Sequence, residues 1–341
     1  MKKSYILILA LLFILGLSAC NKSGVDKSKE TDKVEQTDKS EQADKSESTD
    51  TSESTDASES PDASESTDTN ESTDTSENTD TSESKDANEN TFKFSALGNE
   101  VSQEKTGELL KAAGISQEKI DEFLGQVKKY NDFYDNKSGD FVDYKEPDYL
   151  DMIGKAQADS TKTPIGLGNN CRITTFGLLR DSINIGEKIE DKTSVLAFDK
   201  SSLAESKLFN DEDMEKFESF YAPIAAADSA DADKQVEAIK KALADRKIEF
   251  KNDKAKMISV YLNSKDEIDG NILFVGHTGV MVEDEGKIYF IEKLSFEEPY
   301  QVLAFESKEQ MVDHLLKKYD FPLGENTAKA LIFENNEEIC G

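Results

Sequence analysis

From residue 102 onward the apolar positions fall three and four apart. Ser102-Gln103-Glu104-Lys105 supplies a helix start, Leu109, Leu110 and Ala113 share a face behind it, and Gly114 ends the segment. Ser116-Gln117-Glu118-Lys119 repeats the start signal, and Ile120, Phe123, Leu124 and Val127 follow at the same spacing. The pattern predicts an amphipathic helical hairpin whose apolar faces belong to a core. Residues 131–151 lose the period. Phe133, Tyr134, Phe141, Tyr144 and Tyr149 stand among acidic residues, and Gly139 and Pro147 interrupt them. That composition predicts a packed loop, either a cover over the core or one wall of a cleft. A turn at 164–170 leads into a run from Cys171 to Arg180 that is apolar on nearly all sides apart from its two arginines. It reads as a central, buried helix starting at Cys171. Residues 194–250 read as helical again. Met214, Phe217, Phe220 and Tyr221 form one stripe, Val236, Ile239, Leu243 and Ile248 another, around a small acidic loop at 225–233.

At Met257 the period drops to two. Residues 257–262, 272–275, 277–282, 287–292 and 300–305 read as strands of an antiparallel meander, with a hairpin turn at 283–286. Residues 308–319 form a helix with Met311, Val312, Leu315, Leu316 and Tyr319 inward, and a last strand lies near 330–333. Phe92 to Leu97 is a short strand or docking segment. These elements predict one α+β domain over residues 92–341, large enough to bury its own core.

The chain before it carries only one apolar run. Lys2 and Lys3 precede the apolar residues 5–16, too short a stretch to span a bilayer, and Leu17-Ser18-Ala19-Cys20 closes it. Residues 1–19 read as a secretory signal. The last four positions resemble a bacterial lipobox, which implies cleavage before Cys20, acylation of Cys20 and anchoring on the outer face of the cell membrane. Residues 20–91 form an acidic Ser/Thr-rich tract, within which a six-residue unit such as Ser46-Glu47-Ser48-Thr49-Asp50-Thr51 recurs as far as Ala87, with two carboxylates and nothing to bury. Such a tract does not offset its ordering entropy, so a disordered, charge-extended linker is expected. Even as a neutral coil it would reach about 45 Å, enough to lift the domain into the cell wall. Calcium binding by the repeat is the sharper alternative, but the turn glycine and ordered ligands of a calcium loop are missing. The Ser/Thr density permits O-glycosylation.

Charge narrows the partners. The chain has 41 basic and 71 acidic residues, a net charge of −30, and about half of that excess lies in the tract. A folded part that is itself acidic argues against nucleic acid. No His/Cys/Asp/Glu group has metal-ligand spacing and no glycine-rich phosphate loop is present, so neither metal nor cofactor is expected.

The candidate chemistry is a cysteine and a histidine. Apart from Cys20 the cysteines are Cys171 and Cys340, which could instead be a disulfide. Cys171 follows Gly168-Asn169-Asn170 and opens the buried helix. There the unpaired N–H groups and the helix dipole favour thiolate. Of the two histidines, His277 stands at the start of a predicted strand in Gly276-His277-Thr278-Gly279-Val280, while His314 lies on a helix flank and reads as structural. Cys171 as nucleophile and His277 as base make a thiol-hydrolase pair. The Cys171 N–H with the Asn169 or Asn170 side chain is the candidate oxyanion site.

A cysteine at a helix start, then a histidine on a strand, is similar to the papain-like arrangement of the NlpC/P60 amidases and peptidases. The resemblance implies a third polar group on the next strand, where Glu292 of Ile291-Glu292-Lys293 is best placed. Asn170-Cys171-Arg172 departs from that family's Asp-Cys-Ser, the insert between the two residues is longer, and Glu replaces the more usual His, Asn or Gln. Residues 92–341 also resemble the bacterial lipoproteins carrying domain of unknown function 4300, through Asn169-Asn170-Cys171-Arg172, Gly276-His277-Thr278-Gly279-Val280, Glu292-Lys293-Leu294 and Glu298-Pro299-Tyr300-Gln301. The expected function is a surface-anchored amidase or peptidase acting on cell-wall or extracellular peptide. The alternatives are a binding or adhesion lipoprotein on the same scaffold and a transglutaminase-like transferase using the same pair.

Overall fold

The structure, a computed structural model, describes residues 91–162 and 166–340. The predicted signal segment, Cys20 and, Thr91 aside, the repeat tract lie outside the described residues.

Polar caps set most helix starts. After β1 (Lys93–Ser95), α1 (Glu100–Ala112) begins at Asn99, whose side chain accepts from the Ser102 N–H at 2.9 Å. α2 (Gln117–Tyr134) begins at Ser116 in the same way and ends at Asp135 in the left-handed region, φ 58°. These two helices are the predicted hairpin. The stretch read as an aromatic loop is more ordered than that. β2 (Val142–Asp143) pairs with β1, and α3 (Leu150–Ala158) follows. Only Ile153 and Ala156 of α3 are buried, too few to leave a helical period in the sequence.

α4 (Cys171–Leu179) has every residue buried. Ile173, Phe176, Leu178 and Leu179 are 0–2% exposed, and burying each such side chain contributes roughly 1.5–3 kcal/mol. Packing of this kind holds a helix that contains Thr174 and Thr175, indifferent helix formers. The span predicted as helical over 194–250 divides into α5 (Ala197–Ser206), α6 (Asp211–Tyr221) and α7 (Ala232–Asp245). β3 (Ile183–Ile185) pairs with β5 (Ile248–Phe250) in a small separate sheet, so Ile248 belongs to a strand rather than to the last helix.

The main sheet has nine strands among the described residues. β6 (Ala255–Asp266), β7 (Gly270–Asp284), β8 (Lys287–Lys293) and β9 (Tyr300–Phe305) form the antiparallel meander. β1 and β2 extend it beyond β9, and β10 (Leu331–Glu334) with β11 (Glu337–Cys340) extends it beyond β6. β4 (Ile224–Ala225) pairs with the first part of β7. One face carries Tyr261, Leu273, Val275, Ile291 and Tyr300 against the α2 and α4 side chains. The other carries Val260, Leu262, Phe290 and Leu303 against α8 (Lys308–Tyr319). The fold is thus α+β, an antiparallel sheet with eight α-helices among the described residues.

β7 corrects one expectation. His277 does not start a strand. It lies inside a continuous one of fifteen residues, after a register shift that leaves Gly276 without a partner: Tyr261 faces Val275 and Val260 faces His277. The glycine reads as a break in the sequence because a bulge, like a turn, interrupts the alternation.

Candidate functional site

β7 is longer than its neighbours on one side. β4 covers Ile272 and Leu273, and β8 pairs only from Val280 to Asp284. Between them, residues 274–279 have no strand partner on that edge among the described residues. The N-terminus of α4 fills this gap. Arg172 Nη1 donates to the Val275 carbonyl at 3.0 Å, a group a neighbouring strand would otherwise satisfy.

The bulge decides where the histidine points. Val275 belongs to the core beneath α4, whereas His277 packs against Tyr319 of α8 and Phe290 on the opposite face. Gly276 accommodates this because a Cβ there would come within 2.3 Å of Leu262 Cδ1. At Gly279 a Cβ would meet the Phe290 ring at 2.4 Å and the Ile291 carbonyl at 2.8 Å, so β7 and β8 approach closely only without a side chain there. Glu292 projects from β8 onto the same face, and its Oε2 is hydrogen-bonded to His277 Nε2. That leaves Nδ1 as the ring nitrogen for the thiol, with which the imidazole forms a side-chain hydrogen bond. The cysteine therefore comes from the helix on one face and meets, through the gap beside β7, a histidine held on the other.

Charge follows from this geometry. Burial alone would raise the Cys171 pKa, but the hydrogen bond and charge of His277, with the Arg172 guanidinium, hold it below its ordinary value. Burial would lower the His277 pKa; the Glu292 carboxylate and the bonds to Cys171 and Glu292 push it up to about 9. Glu292 is likewise penalised by burial yet drawn down to about 2 by His277. These directions favour a thiolate beside an imidazolium, with the Glu292 carboxylate on the ring's other nitrogen. Arg172 is fixed separately, with Nε on Asp199 Oδ1 at 2.9 Å and Nη2 on Oδ2 at 2.6 Å.

The predicted oxyanion donors separate. The Asn170 oxygen caps α4 through the Ile173 N–H at 3.0 Å, and its amide donates to Asp199 at 2.8 Å. The oxygen and one amide hydrogen are committed, so Asn170 serves α4 as its cap. Asn169 donates to the Tyr300 hydroxyl at a long 3.4 Å and lines two shallow depressions with Gln126 and Tyr300. The Cys171 N–H lies in the first helical turn, ahead of the first intrahelical bond. Cys171 and Cys340 are both free, so the disulfide alternative does not hold in this structure. His314, read as structural, packs among Phe92, Tyr144 and Phe305.

Four residues at the site were not singled out from the sequence. Gln301 Nε2 donates to Glu292 Oε1 at 2.5 Å, Tyr319 stacks on the His277 ring, Asp199 holds Arg172, and Lys293 is buried with its ammonium on the Ser295, Phe296 and Glu298 carbonyls. Burial lowers the Lys293 pKa to about 7, against the opposing charges of Glu298, Cys171 and Glu297, and the amine lies over the Tyr130 and Tyr300 ring faces. Gln301 left a signal as the strand residue opposite Glu292 in a meander, and Lys293 as the neighbour of Glu292 on β8. Asp199 and Tyr319 come from helices whose seating the sequence does not state.

Among the described residues no group of three or more His, Cys, Asp and Glu is arranged to hold a metal ion. Residues 93–339 match the family model described as domain of unknown function DUF4300, and the chain belongs to that family. No curated protein matches the chain. No solved structure matches it either.

Proposed function

We propose that the domain is a thiol hydrolase, an amidase or peptidase acting on cell-wall or extracellular peptide. The observation that carries this reading is the unbroken line from the Cys171 thiol through His277 to Glu292. The order of helix cysteine, strand histidine and next-strand acid supports a papain-like assignment. In the reaction the Cys171 thiolate attacks an amide carbonyl. The Cys171 N–H and the Asn169 amide receive the oxyanion. The imidazolium proton passes to the departing amine. His277 then takes a proton from water, hydroxide opens the thioester, and the acid leaves as the thiolate–imidazolium pair is restored. Glu292 holds the ring throughout.

One observation favours the rival, a binding lipoprotein without chemistry. Cys171 is 6% exposed and His277 1%, and Cys171 lines neither of the two depressions beside Asn169. A hydrolase must open here to admit a peptide. The test is turnover of peptidoglycan fragments and mixed peptides by the full chain and by Cys171→Ala and His277→Ala. The hydrolase reading expects release of new amino termini by the wild type alone. Identical traces from all three, with ligand retained, support the binding module.

Placement on the outer membrane face rests on the lipobox-like Leu17-Ser18-Ala19-Cys20. Labelled fatty acid should enter the wild-type chain, and Cys20→Ala should abolish labelling and release the protein. Labelling of the variant would rule out that anchor.

A further inference from the structure

We infer that Gln301 and Tyr319 are positioning residues for the Cys171–His277 pair, Gln301 through Glu292 and Tyr319 through the face of the imidazole. The inference rests on the thiol-hydrolase reading and adds to it the far side of the sheet.

Gln301 is the register partner of Glu292 across β8 and β9. It is 1% exposed, and its amide makes one bond, Nε2 to Glu292 Oε1 at 2.5 Å. Its own Oε1 is buried with no partner. The amide faces the carboxylate with its nitrogen because its oxygen would be repelled. A strand position that needed only packing would be served better by Leu or Met, without a half-satisfied amide in the core. The bond serves Glu292. A carboxylate held at one oxygen can swing about its last torsion; held at both, it keeps Oε2 on His277 Nε2, and Nδ1 stays turned to the thiol.

Tyr319 fixes the remaining freedom, rotation of the ring out of plane. The two rings lie 4.5 Å apart and 13° from parallel. A tyrosine face against an imidazolium also favours the charged ring. The titratable and charged groups acting on the pair and on Glu292 from the packed elements are Arg172 of α4, Asp199 of α5, Tyr221 of α6, Lys293 of β8, Tyr319, Lys318 and His314 of α8, and Tyr144 and Tyr149 ahead of α3. Gln301 touches Glu292, and Tyr319 the imidazole, without carrying charge at neutral pH.

The test is a pH titration of ultraviolet thiolate absorbance on the full chain, read as the difference from Cys171→Ala, which needs no access for a reagent. Wild type should show thiolate well below the range of an ordinary cysteine. Gln301→Leu and Tyr319→Leu should move the titration up by about one pH unit or more, the scale on which hydrogen bonds to a charged form act. Tyr319→Phe, which keeps the stacked face, should titrate as wild type. Thermal melts show which variants fold; if Gln301→Leu does not, the longer Gln301→Met takes its place. Folded Gln301→Leu (or Met) and Tyr319→Leu with the wild-type titration would overturn the positioning role alone. A wild-type chain that titrates as an ordinary thiol, unchanged by His277→Ala, would overturn the hydrolase reading and this inference with it.

Discussion

Arg172 and Asp199 meet edge-on, Nε to Oδ1 at 2.9 Å and Nη2 to Oδ2 at 2.6 Å, one residue along the chain from the thiol. Both side chains are buried, and the same carboxylate accepts the Asn170 amide. Removing one partner of such a pair leaves an uncompensated buried charge. Asp199→Ala is therefore expected to cost roughly 3–5 kcal/mol of stability in urea melts. The double variant Arg172→Met/Asp199→Leu, which buries no charge, should recover a large part of that loss. A single variant as stable as wild type would show that the guanidinium finds water when the carboxylate is gone.

Asn169 and Asn170 are neighbours with different jobs, and two alanine variants separate them. Asn170→Ala removes a helix cap and should lower stability by about 1 kcal/mol, within the usual 0.5–2 for such caps. Asn169→Ala breaks only a long bond to Tyr300 and should leave the melting temperature nearly unchanged. If Asn169 serves the oxyanion, the same change should slow acylation of Cys171 by about 10²–10³. Equal effects of both variants on stability and rate would contradict the assignment.

The two glycines around His277 should rank in a definite order. An added Cβ at Gly276 meets the end of a leucine side chain, which can rotate away. At Gly279 it meets a ring and a backbone carbonyl at 2.8 Å, which cannot. Gly279→Ala should cost more than Gly276→Ala, at or above the roughly 1–3 kcal/mol typical of overpacking. Chemical denaturation of both variants checks the order.

Glu292 should shape the acid limb of stability. Its folded pKa is depressed, from 4.5 to about 2. Its contribution is therefore present above pH 4.5 and is lost as pH falls through about 2. The size is on the order of 3 kcal/mol, from about 1.4 kcal/mol per pKa unit. Glu292→Gln should be less stable than wild type at neutral pH, and the gap should close on acidification across that window. A gap that stays constant with pH would mean the carboxylate is not charged in the folded protein.

Above neutrality the cysteine and histidine act in opposite senses. His277, raised from 6.5 to about 9, contributes stability below 6.5 that is lost as pH rises through 9. Cys171, lowered, contributes stability above its ordinary range that is lost as pH falls through its folded value. When the thiol proton goes to the imidazole, folding takes up almost no proton. Wild-type stability should be nearly flat across this window, while Cys171→Ala, which leaves the histidine raised by Glu292 alone, should lose stability as pH rises. A falling curve in both proteins would argue against the ion pair.

Local pattern was enough for much of this protein. The helical hairpin, the buried helix opening at Cys171 and the meander carrying His277 and Glu292 were legible because period and caps are written in consecutive residues. The sequence placed the cysteine at a helix start and the acid one strand after the histidine, since both are facts of order along the chain. It did not reveal α3, whose buried face is two residues, or that Gly276 continues a strand. Nor could it show that the thiol and the imidazole approach from opposite faces through a gap between β4 and β8, or that Asn170 is spent on a cap and on Asp199. Those depend on strand lengths, a bulge and the seating of α5 and α8, settled only when segments distant along the chain, such as Arg172 and Val275, pack together. A side chain's direction in a sheet reverses with one extra residue, so only the assembled register decides which face the histidine meets.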